Sequence, residues 1–269
     1  MITIGENINA TAKSVATAIK NRDTEFIQNR AKVQAEAGAD YIDVNAGSGY
    51  GSQEQSITAM EWLMDTVQAA TDKPLVIDSD DPKVLQVALA RYTGEKVIIN
   101  SVTAESERLT TIGSLAAKRQ ASLVALAMGE AGIPDNVEDR LAACDVIVKE
   151  LAKLGVTSDK IYFDALVLPI SVDPSQGMIT LNTIAQIKQR YPEAKTVVGL
   201  SNISYGLPNR NIVNRSFMLM AAYAGLDAII VNPLDTKMMG LIKVADVLTG
   251  SDPMCRRYIR AHRKGLLED

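Results

Sequence analysis

The sequence predicts a single (β/α)8 TIM barrel that occupies residues 1–269 as one domain. Short apolar runs alternate with segments of helical periodicity eight times along the 269 residues, and strands that alternate with helices require a parallel sheet. No long linker or low-complexity tract interrupts this alternation, which favours closure into a barrel. An open doubly wound sheet is the alternative, but Gly5-Glu6-Asn7 lacks the phosphate-binding glycines expected after its first strand.

Each predicted strand is a run of apolar residues that ends in polar ones. The strands are predicted at 1–4, 41–44, 75–77, 96–99, 122–128, 161–164, from 197 onward, and at 227–231. Helices are predicted up to about residue 37, through 57–67 and 84–89, near 105–118, 135–154, 179–190, 211–224 and 237–248, and at the C-terminus. Asp23 and Asp81 are predicted N-caps, Gly38 ends the first helix, and Pro82 takes a first helical position.

The composition limits the class of protein. Hydrophobic residues make up 47% and charged residues 22%, which indicates a globular protein with a sizeable core. The formal net charge of -4 and the lack of a dense Lys/Arg stripe argue against nucleic-acid binding. No apolar run approaches the roughly 20 residues of a membrane span, and the first residues lack a basic n-region, so we expect a cytoplasmic location without a membrane partner.

Metal binding and histidine-based catalysis are not expected. The chain has two cysteines and one histidine, whereas a zinc site needs three or four ligands. Cys144 falls on the apolar side of a predicted helix and is interpreted as a core residue, while Cys255 and His262 stand near the C-terminus without a further ligand. The segment Gly47-Ser48-Gly49-Tyr50-Gly51 has the wrong spacing for a dinucleotide fingerprint and is interpreted as a flexible loop.

Carboxylate and amide residues recur where the predicted strands end. The active site of a (β/α)8 barrel lies at the carboxyl ends of its strands, so we expect these side chains to converge on one ring. The residues at these ends are Asn7, Asn9, Asp43, Asn45, Asp78, Asn100, Met128, Asp164, Asn202 and Asn232.

Asp and Asn after a strand can also cap the following helix or close an Asx turn. That alternative stays open for Asp43, Asn45 and Asn232. Four other members lie directly at the ends of their apolar runs, several residues before the predicted helix starts, and this position favours a binding role. These are Asp78, Asn100, Asp164 and Asn202.

The inventory of this ring indicates the chemistry of its ligand. Carboxylates and amides with almost no basic residue suit a neutral heterocycle that carries N–H donors and carbonyl acceptors. A phosphate would require basic groups or a glycine cradle. Mg²⁺ is a further alternative for two or three carboxylates, but the accompanying asparagines favour hydrogen bonding to a flat amide-like ring. A pterin matches this inventory.

Several motifs resemble the methyltetrahydrofolate:corrinoid protein methyltransferases of anaerobic methyl metabolism. They are also similar to the folate module of cobalamin-dependent methionine synthase, and the similarity covers nearly the whole chain in order. The motifs are Gly5-Glu6-Asn7-Ile8-Asn9, Leu75-Val76-Ile77-Asp78-Ser79, Ile99-Asn100-Ser101, Phe163-Asp164 with Leu168-Pro169, Gly199-Leu200-Ser201-Asn202, and Asn209-Arg210.

This resemblance implies a substrate and roles for residues. The pterin of tetrahydrofolate or 5-methyltetrahydrofolate would be held by Asp78, Asn100 and Asp164, and Asn202 would reach N5. Because N5 must gain a proton or a strong hydrogen bond as its methyl group leaves, we expect a network around the catalytic residues Asn202 and Asp78 rather than a general acid. Gly199, Ser201 and Arg210 would lie nearby, and the further candidates are Glu6, Asn9, Asp43, Asn45 and Met128.

The resemblance also implies partners. Because the chain has no Asp-x-His-x-x-Gly corrinoid signature, the cobalamin is expected on a separate corrinoid protein, and a homodimer is expected from the family. Gly129-Glu130 and Ala165 depart from the residues usual at these positions in the family. A dihydropteroate synthase and a non-catalytic folate carrier are the alternative functions. The direction of methyl transfer and its pathway stay open.

Overall fold

Eight parallel strands close into a barrel in chain order in the computed structural model, which describes residues 1–47 and 52–267. Each strand pairs with the next, and β8 pairs with β1. The barrel predicted from the sequence is therefore confirmed. The strands are β1 Ile2–Asn9, β2 Tyr41–Asn45, β3 Leu75–Asp78, β4 Val97–Val102, β5 Ser122–Leu126, β6 Ile161–Asp164, β7 Lys195–Gly199 and β8 Ala228–Val231.

Helices cover the outside of the barrel and pack on the outward faces of the strands. The predicted caps are confirmed: the Asp23 and Asp81 carboxylates accept hydrogen bonds from the Phe26 and Lys83 N–H groups. The helices of the described residues are α1 Lys13–Asn21, α2 Thr24–Glu36, α3 Gln53–Gln68, α4 Pro82–Arg91, α5 Ser106–Arg119, α6 Val137–Lys153, α7 Gln176–Arg190, α8 Arg210–Ala224, α9 Thr236–Leu248 and α10 Arg256–Arg263.

Several details differ from the prediction, including the end of β4, which continues to Val102 instead of ending at residue 99. β1 continues to Asn9 instead of ending at residue 4, because the polar residues that follow still pair with β2 after a shift of register between Gly5 and Ile8. Helix α1 was not predicted, since its apolar residues span little more than two turns. β5 ends at Leu126 rather than at residue 128, because the Met128 N–H turns back to the Leu126 carbonyl.

The interior of the barrel is filled by one layer of apolar side chains. Successive side chains of a strand point to opposite faces, so the residue two positions after each member of this layer also points inward, nearer the carboxyl end. This upper layer contains three members of the polar ring, Asp78, Asn100 and Asp164, together with Glu6. The apolar layer is Ile4, Val76, Ile98, Val124, Tyr162, Val197 and Ala228; the upper layer is Glu6, Asp78, Asn100, Leu126, Asp164, Gly199 and Ile230.

Other expectations concern residues outside the barrel interior. Cys144 is fully buried on α6, which confirms its interpretation as a core residue. His262 lies in the C-terminal helix α10. Of the segment 47–51, only Gly47 falls within the described residues, so the loop predicted there lies outside them. Across the described part of the chain, the helices are too short or too polar to cross a membrane.

Candidate active site

Asp78 and its neighbours form one level of the barrel mouth. The sheet register places Asn45, Asp78 and Asn100 side by side on β2, β3 and β4. The Asn45 amide donates a 2.8 Å hydrogen bond to Asp78, and its own Oδ1 accepts from the Gly47 N–H. Burial raises the pKa of the Asp78 carboxyl, while the Asn45 hydrogen bond opposes the rise. Asp78 is thus a half-buried acceptor with an anchored side chain.

Asp43 lies at the centre of a group of carboxylates. Only 2% of it is exposed, and its Oδ1 has no hydrogen-bond partner among the described residues. Burial raises its pKa well above the ordinary value, and the nearby Asp78 and Glu6 carboxylates raise it further. The amides of Asn100 and Asn9 oppose this rise. These five residues lie close together, and both the burial and the neighbouring carboxylates favour the neutral form of the Asp43 carboxyl.

Asp164 has a different environment on the other side of the mouth. It ends β6, and its Oδ1 accepts a 2.8 Å hydrogen bond from the Leu166 N–H. Burial raises its pKa to about 6, and both this hydrogen bond and the Arg140 guanidinium oppose the rise. The carboxyl is therefore largely ionised at pH 7 and available to accept hydrogen bonds from a ligand.

Glu6 and Arg210 face each other where β1 meets the loops after β7 and β8. Burial raises the pKa of Glu6, while the charge of Arg210 and the Asn232 N–H lower it. Arg210 donates to the Ser201 carbonyl at 2.6 Å and to the Ser204 hydroxyl at 3.0 Å. Arg210 thus ties the turn after β7 to the start of α8 and still faces Glu6.

The turn after β7 presents Asn202. Residues Leu200–Ser204 form a 3-10 turn directly after Gly199. The Asn202 side chain is exposed and makes no hydrogen bond to the described residues. Its Nδ2 lies over Gly199, 3.5 Å from the position that a β-carbon would occupy there. The amide is consequently free to donate to, or accept from, a bound molecule.

Further contacts of the predicted residues involve the loops that follow the strands. Asn7 donates a 2.7 Å hydrogen bond to Asn232, which joins β1 to the loop after β8. The Asn9 side chain accepts from the Thr11 N–H in addition to its position near Asp43. Met128 lies beyond the end of β5 and is half-buried, and its carbonyl accepts from the Ala104 N–H.

Two cavities border parts of the ring. One of about 630 Å³ is lined by Glu6, Ser201, Arg210 and Asn232 among others. A second of about 400 Å³ is lined in part by Asn45, Ala46, Gly47, Asp78 and Ser79. Within residues 1–47 and 52–267, His, Cys, Asp and Glu do not group in threes with the geometry to hold a metal ion.

Three side chains that the sequence reading missed support this mouth from outside the ring. Gln34 of α2 accepts from the Asn7 N–H and lies so close to Gly5 that a β-carbon there would be 2.5 Å from its Oε1. Arg108 of α5 donates to the Ser101 carbonyl at 2.9 Å and to the Asp80 carbonyl. Arg140 of α6 is fully buried. Arg140 was detectable, because it falls at helical spacing on the apolar stripe of Cys144, Ile147 and Leu151.

Comparison with known proteins agrees with this architecture. Residues 5–232 match the family model of pterin binding enzymes. The chain is 37% identical to a methylcorrinoid:tetrahydrofolate methyltransferase of Eubacterium limosum, over 98% of this chain and 97% of that protein. It is 29% identical to methionine synthase of Mycobacterium leprae over 86% of this chain, which corresponds to only 20% of that longer protein.

Solved structures of dihydropteroate synthases share the fold. The enzyme of Vibrio fischeri superposes with a TM-score of 0.72 at 16% identity over 94% of both chains. The enzyme of Stenotrophomonas maltophilia superposes with a TM-score of 0.70 at 17% identity over 94% of this chain and 93% of the other. At these identities the likeness concerns the barrel alone. The family model and the Eubacterium limosum relative together show that this chain belongs to the pterin-binding enzymes, among the methyltransferases that act on tetrahydrofolate and a corrinoid.

Proposed function

We propose that this protein transfers a methyl group between N5 of tetrahydrofolate and the cobalt of a corrinoid held by a partner protein. The observation that carries the proposal is the inward-facing set of carboxylates and amides at the barrel mouth, in a chain that resembles a methylcorrinoid:tetrahydrofolate methyltransferase along nearly its whole length. The corrinoid supplies the cobalt that donates or accepts the methyl group. The residues of this chain bind and orient the folate.

Asp78, Asn100 and Asp164 match the hydrogen-bonding edge of a pterin. The pyrimidine part of a pterin carries N–H and amino donors beside a carbonyl acceptor, and an ionised carboxylate accepts two such donors. Asp164, with a pKa of about 6, is mainly ionised at pH 7. Asn100 contributes an amide that both donates and accepts. These three side chains would bind the ring flat across the mouth of the barrel.

Asn202 is the proposed catalytic contact to N5. When the methyl group leaves folate, the N5–C bond breaks, its electron pair stays on nitrogen, and N5 takes a proton while cobalt(I) supplies the pair for the new Co–C bond. A hydrogen bond that strengthens as charge develops at N5 lowers this barrier. The Asn202 amide is exposed and has no partner among the described residues, so it can form this bond without losing another.

Replacement of Asn202 by Ala tests this role. We expect kcat for methyl transfer to fall about 100-fold, the usual cost of losing one donor to a developing charge, while the Kd of methyltetrahydrofolate rises less than about threefold, roughly the net contribution of one weak hydrogen bond. Asn182→Ala, on the exposed surface of α7, is the matched control. Equal losses in rate and in affinity would contradict the assignment.

A direct assay separates the proposed activity from the two alternatives. The protein is mixed with methyltetrahydrofolate and cob(I)alamin, and the spectrum of methylcobalamin is followed. Turnover supports the methyltransferase. Tight folate binding without turnover would instead indicate a folate carrier, and condensation of a pterin pyrophosphate with p-aminobenzoate would indicate a dihydropteroate synthase.

The proposal extends to the setting of the enzyme. We place it in the cytoplasm of a cell with anaerobic one-carbon metabolism, as a homodimer that receives its corrinoid from a separate protein. Support for assembly comes from the outer surface of α8, where Ile212, Met220 and Tyr223 expose 59%, 50% and 90% of their surface at helical spacing. Light scattering after size-exclusion chromatography measures the mass; a value near the 29.0 kDa of one chain would exclude the dimer.

A further inference from the structure

Arg140 is a buried cation outside the ring of proposed ligand contacts. It is fully buried on α6, at a position of the apolar stripe where Leu or Met would normally stand. Burying a guanidinium is expensive unless its donors are satisfied. Among the described residues, all four of its hydrogen bonds go to uncharged oxygens, and the acceptors are Pro134 O, Ala165 O, Leu166 O and Gln176 Oε1.

Two of those acceptors belong to the segment that follows Asp164. The Ala165 and Leu166 carbonyls each lie 2.8 Å from Nη1 of Arg140, and the Thr180 hydroxyl also donates to the Leu166 carbonyl at 2.9 Å. Leu166 has a φ of 63°, a left-handed conformation that is unfavourable for a residue with a β-carbon. The hydrogen bonds from Arg140 and Thr180 to the Leu166 carbonyl therefore help to stabilise this conformation.

The conformation of Leu166 affects Asp164 through one N–H group. In the conformation that Arg140 stabilises, the Leu166 N–H donates to Oδ1 of Asp164 at 2.8 Å. The guanidinium also favours the ionised form of Asp164, and the only other charged group that acts on Arg140 within the described residues is Asp135. One side chain thus influences both the orientation and the charge of the Asp164 carboxyl.

We propose that Arg140 is a positioning residue that fixes the backbone at 165–166 and thereby presents Asp164 as an oriented, ionised acceptor for the ligand. The proposal rests on the proposed function, because it assumes that Asp164 binds folate. An Arg that served the fold alone would stabilise the protein without affecting the pH dependence of binding. Asp164 must be ionised to accept two N–H groups, so folate affinity is expected to rise as the pH increases through about 6.

The experiment measures the Kd of methyltetrahydrofolate from pH 5 to 8.5 in the wild-type protein and three variants. Arg140→Gln should raise the Kd about tenfold at pH 7 and move the midpoint of the pH profile up by about one unit, because an adjacent opposite charge lowers a carboxyl pKa by about 1–3 units. Arg140→Lys keeps the charge, so its midpoint should stay near the wild-type value while its affinity falls, since an ammonium cannot reproduce the planar fork.

Arg119→Gln is the matched control. Arg119 also donates to backbone carbonyls, those of Tyr92 and Gly94, but these precede β4 at the opposite end of the barrel. This variant should lower the melting temperature and leave both Kd and midpoint unchanged. An Arg140→Gln profile with the wild-type midpoint, and an affinity lowered by one factor at every pH, would overturn the proposal.

Measurements without folate separate this proposal from the proposed function. A ¹³C NMR titration of the Asp164 carboxyl should give a higher pKa in Arg140→Gln than in the wild type, whether or not folate is the substrate. If Arg140→Gln does not fold, the Arg140→Lys variant provides the test of the proposal. Wild-type protection of the Leu166 amide against hydrogen exchange, together with wild-type folate affinity in that variant, would show that the planar fork of Arg140 positions nothing.

Discussion

Asp164 and Asp43 are carboxyls of one ring, yet their surroundings act on their pKa values in different ways. Asp164 accepts from the Leu166 N–H and lies near Arg140, and its pKa is about 6. Asp43 has Asp78 and Glu6 as neighbours, and its pKa is raised well above the ordinary value, with no cation of the described residues to oppose the rise. Burial acts on both; a guanidinium beside one and carboxylates beside the other produce the difference.

The comparison shows how a mouth made of acids can bind a neutral ring. If every carboxyl were ionised, the repulsion among Glu6, Asp43 and Asp78 would oppose closure of the barrel. A proton on Asp43 would remove one of these charges and supply a hydrogen-bond donor to a site otherwise rich in acceptors. The charge of Arg140, by contrast, favours the ionised form of Asp164, which suits it as an acceptor.

The largest expected effect concerns Asp164 itself. Asp164→Ala should raise the Kd of methyltetrahydrofolate roughly 10- to 150-fold at pH 7.5, because hydrogen bonds to charged groups contribute about 1.5–3 kcal/mol. Isothermal titration measures this loss, with Asp72→Ala in the exposed segment before β3 as the control. A loss of less than about threefold would remove Asp164 from the site and make its comparison with Asp43 irrelevant to binding.

An intermediate effect is expected on stability without ligand. The pKa of Asp164 rises from 3.8 to about 6 on folding, so the folded protein binds more protons between these values and its stability falls as the pH increases through them. Asp164→Asn removes this cost and should raise the free energy of unfolding by about 1–3 kcal/mol at pH 8, with a smaller gain at pH 5. Urea denaturation at both pH values measures it. A gain that is equal at the two pH values would mean that ionisation of Asp164 is not its source.

The smallest effect is expected at Asp43. Asn has the shape of a protonated Asp and no charge, so Asp43→Asn should raise the folate Kd less than about threefold, within the net contribution of one hydrogen bond. Asp43→Ala, which leaves a gap among Asn9, Asp78 and Asn100, should be worse. Titration of the same ligand at pH 7.5 compares the two. If Asp43→Asn were as harmful as Asp164→Ala, Asp43 would have to be ionised and the contrast between the two carboxyls would be wrong.

Much of the fold followed from the sequence, because alternation of apolar runs with helical periodicity is a local signal. The caps at Asp23 and Asp81 and the strand 161–164 are local in the same sense. The second half of β1 was one exception: Gly5, Glu6 and Asn7 are not apolar, and pairing with the neighbouring strands and the contact with Gln34 keep this segment extended. Long-range pairing of this kind leaves no pattern within a short window of sequence.

The residues near the strand ends could be found from the sequence, but their energetics could not. Asp78 and Asp164 end β3 and β6, and Asp43 lies two residues before the end of β2. Their different pKa shifts depend on which side chains lie opposite, and Arg140, 24 positions before Asp164 in the chain, could be connected to it only through the folded structure. The buried stripe on α6 did carry a signal, a charged residue at an apolar position. Its meaning became clear only from the contacts of Arg140 with the carbonyls of residues 165 and 166 in the folded structure.

The hydrogen bond between Asn7 and Asn232 joins residues 225 positions apart, and the ring takes members from β1 through the loop after β8. A half-barrel, or a chain still emerging from the ribosome, therefore has no complete mouth. Folate can stabilise only the closed molecule, by mass action on that state. Ligand affinity is consequently a reporter of barrel closure, the pairing of β8 with β1, and a destabilised variant that retains affinity must still complete that closure.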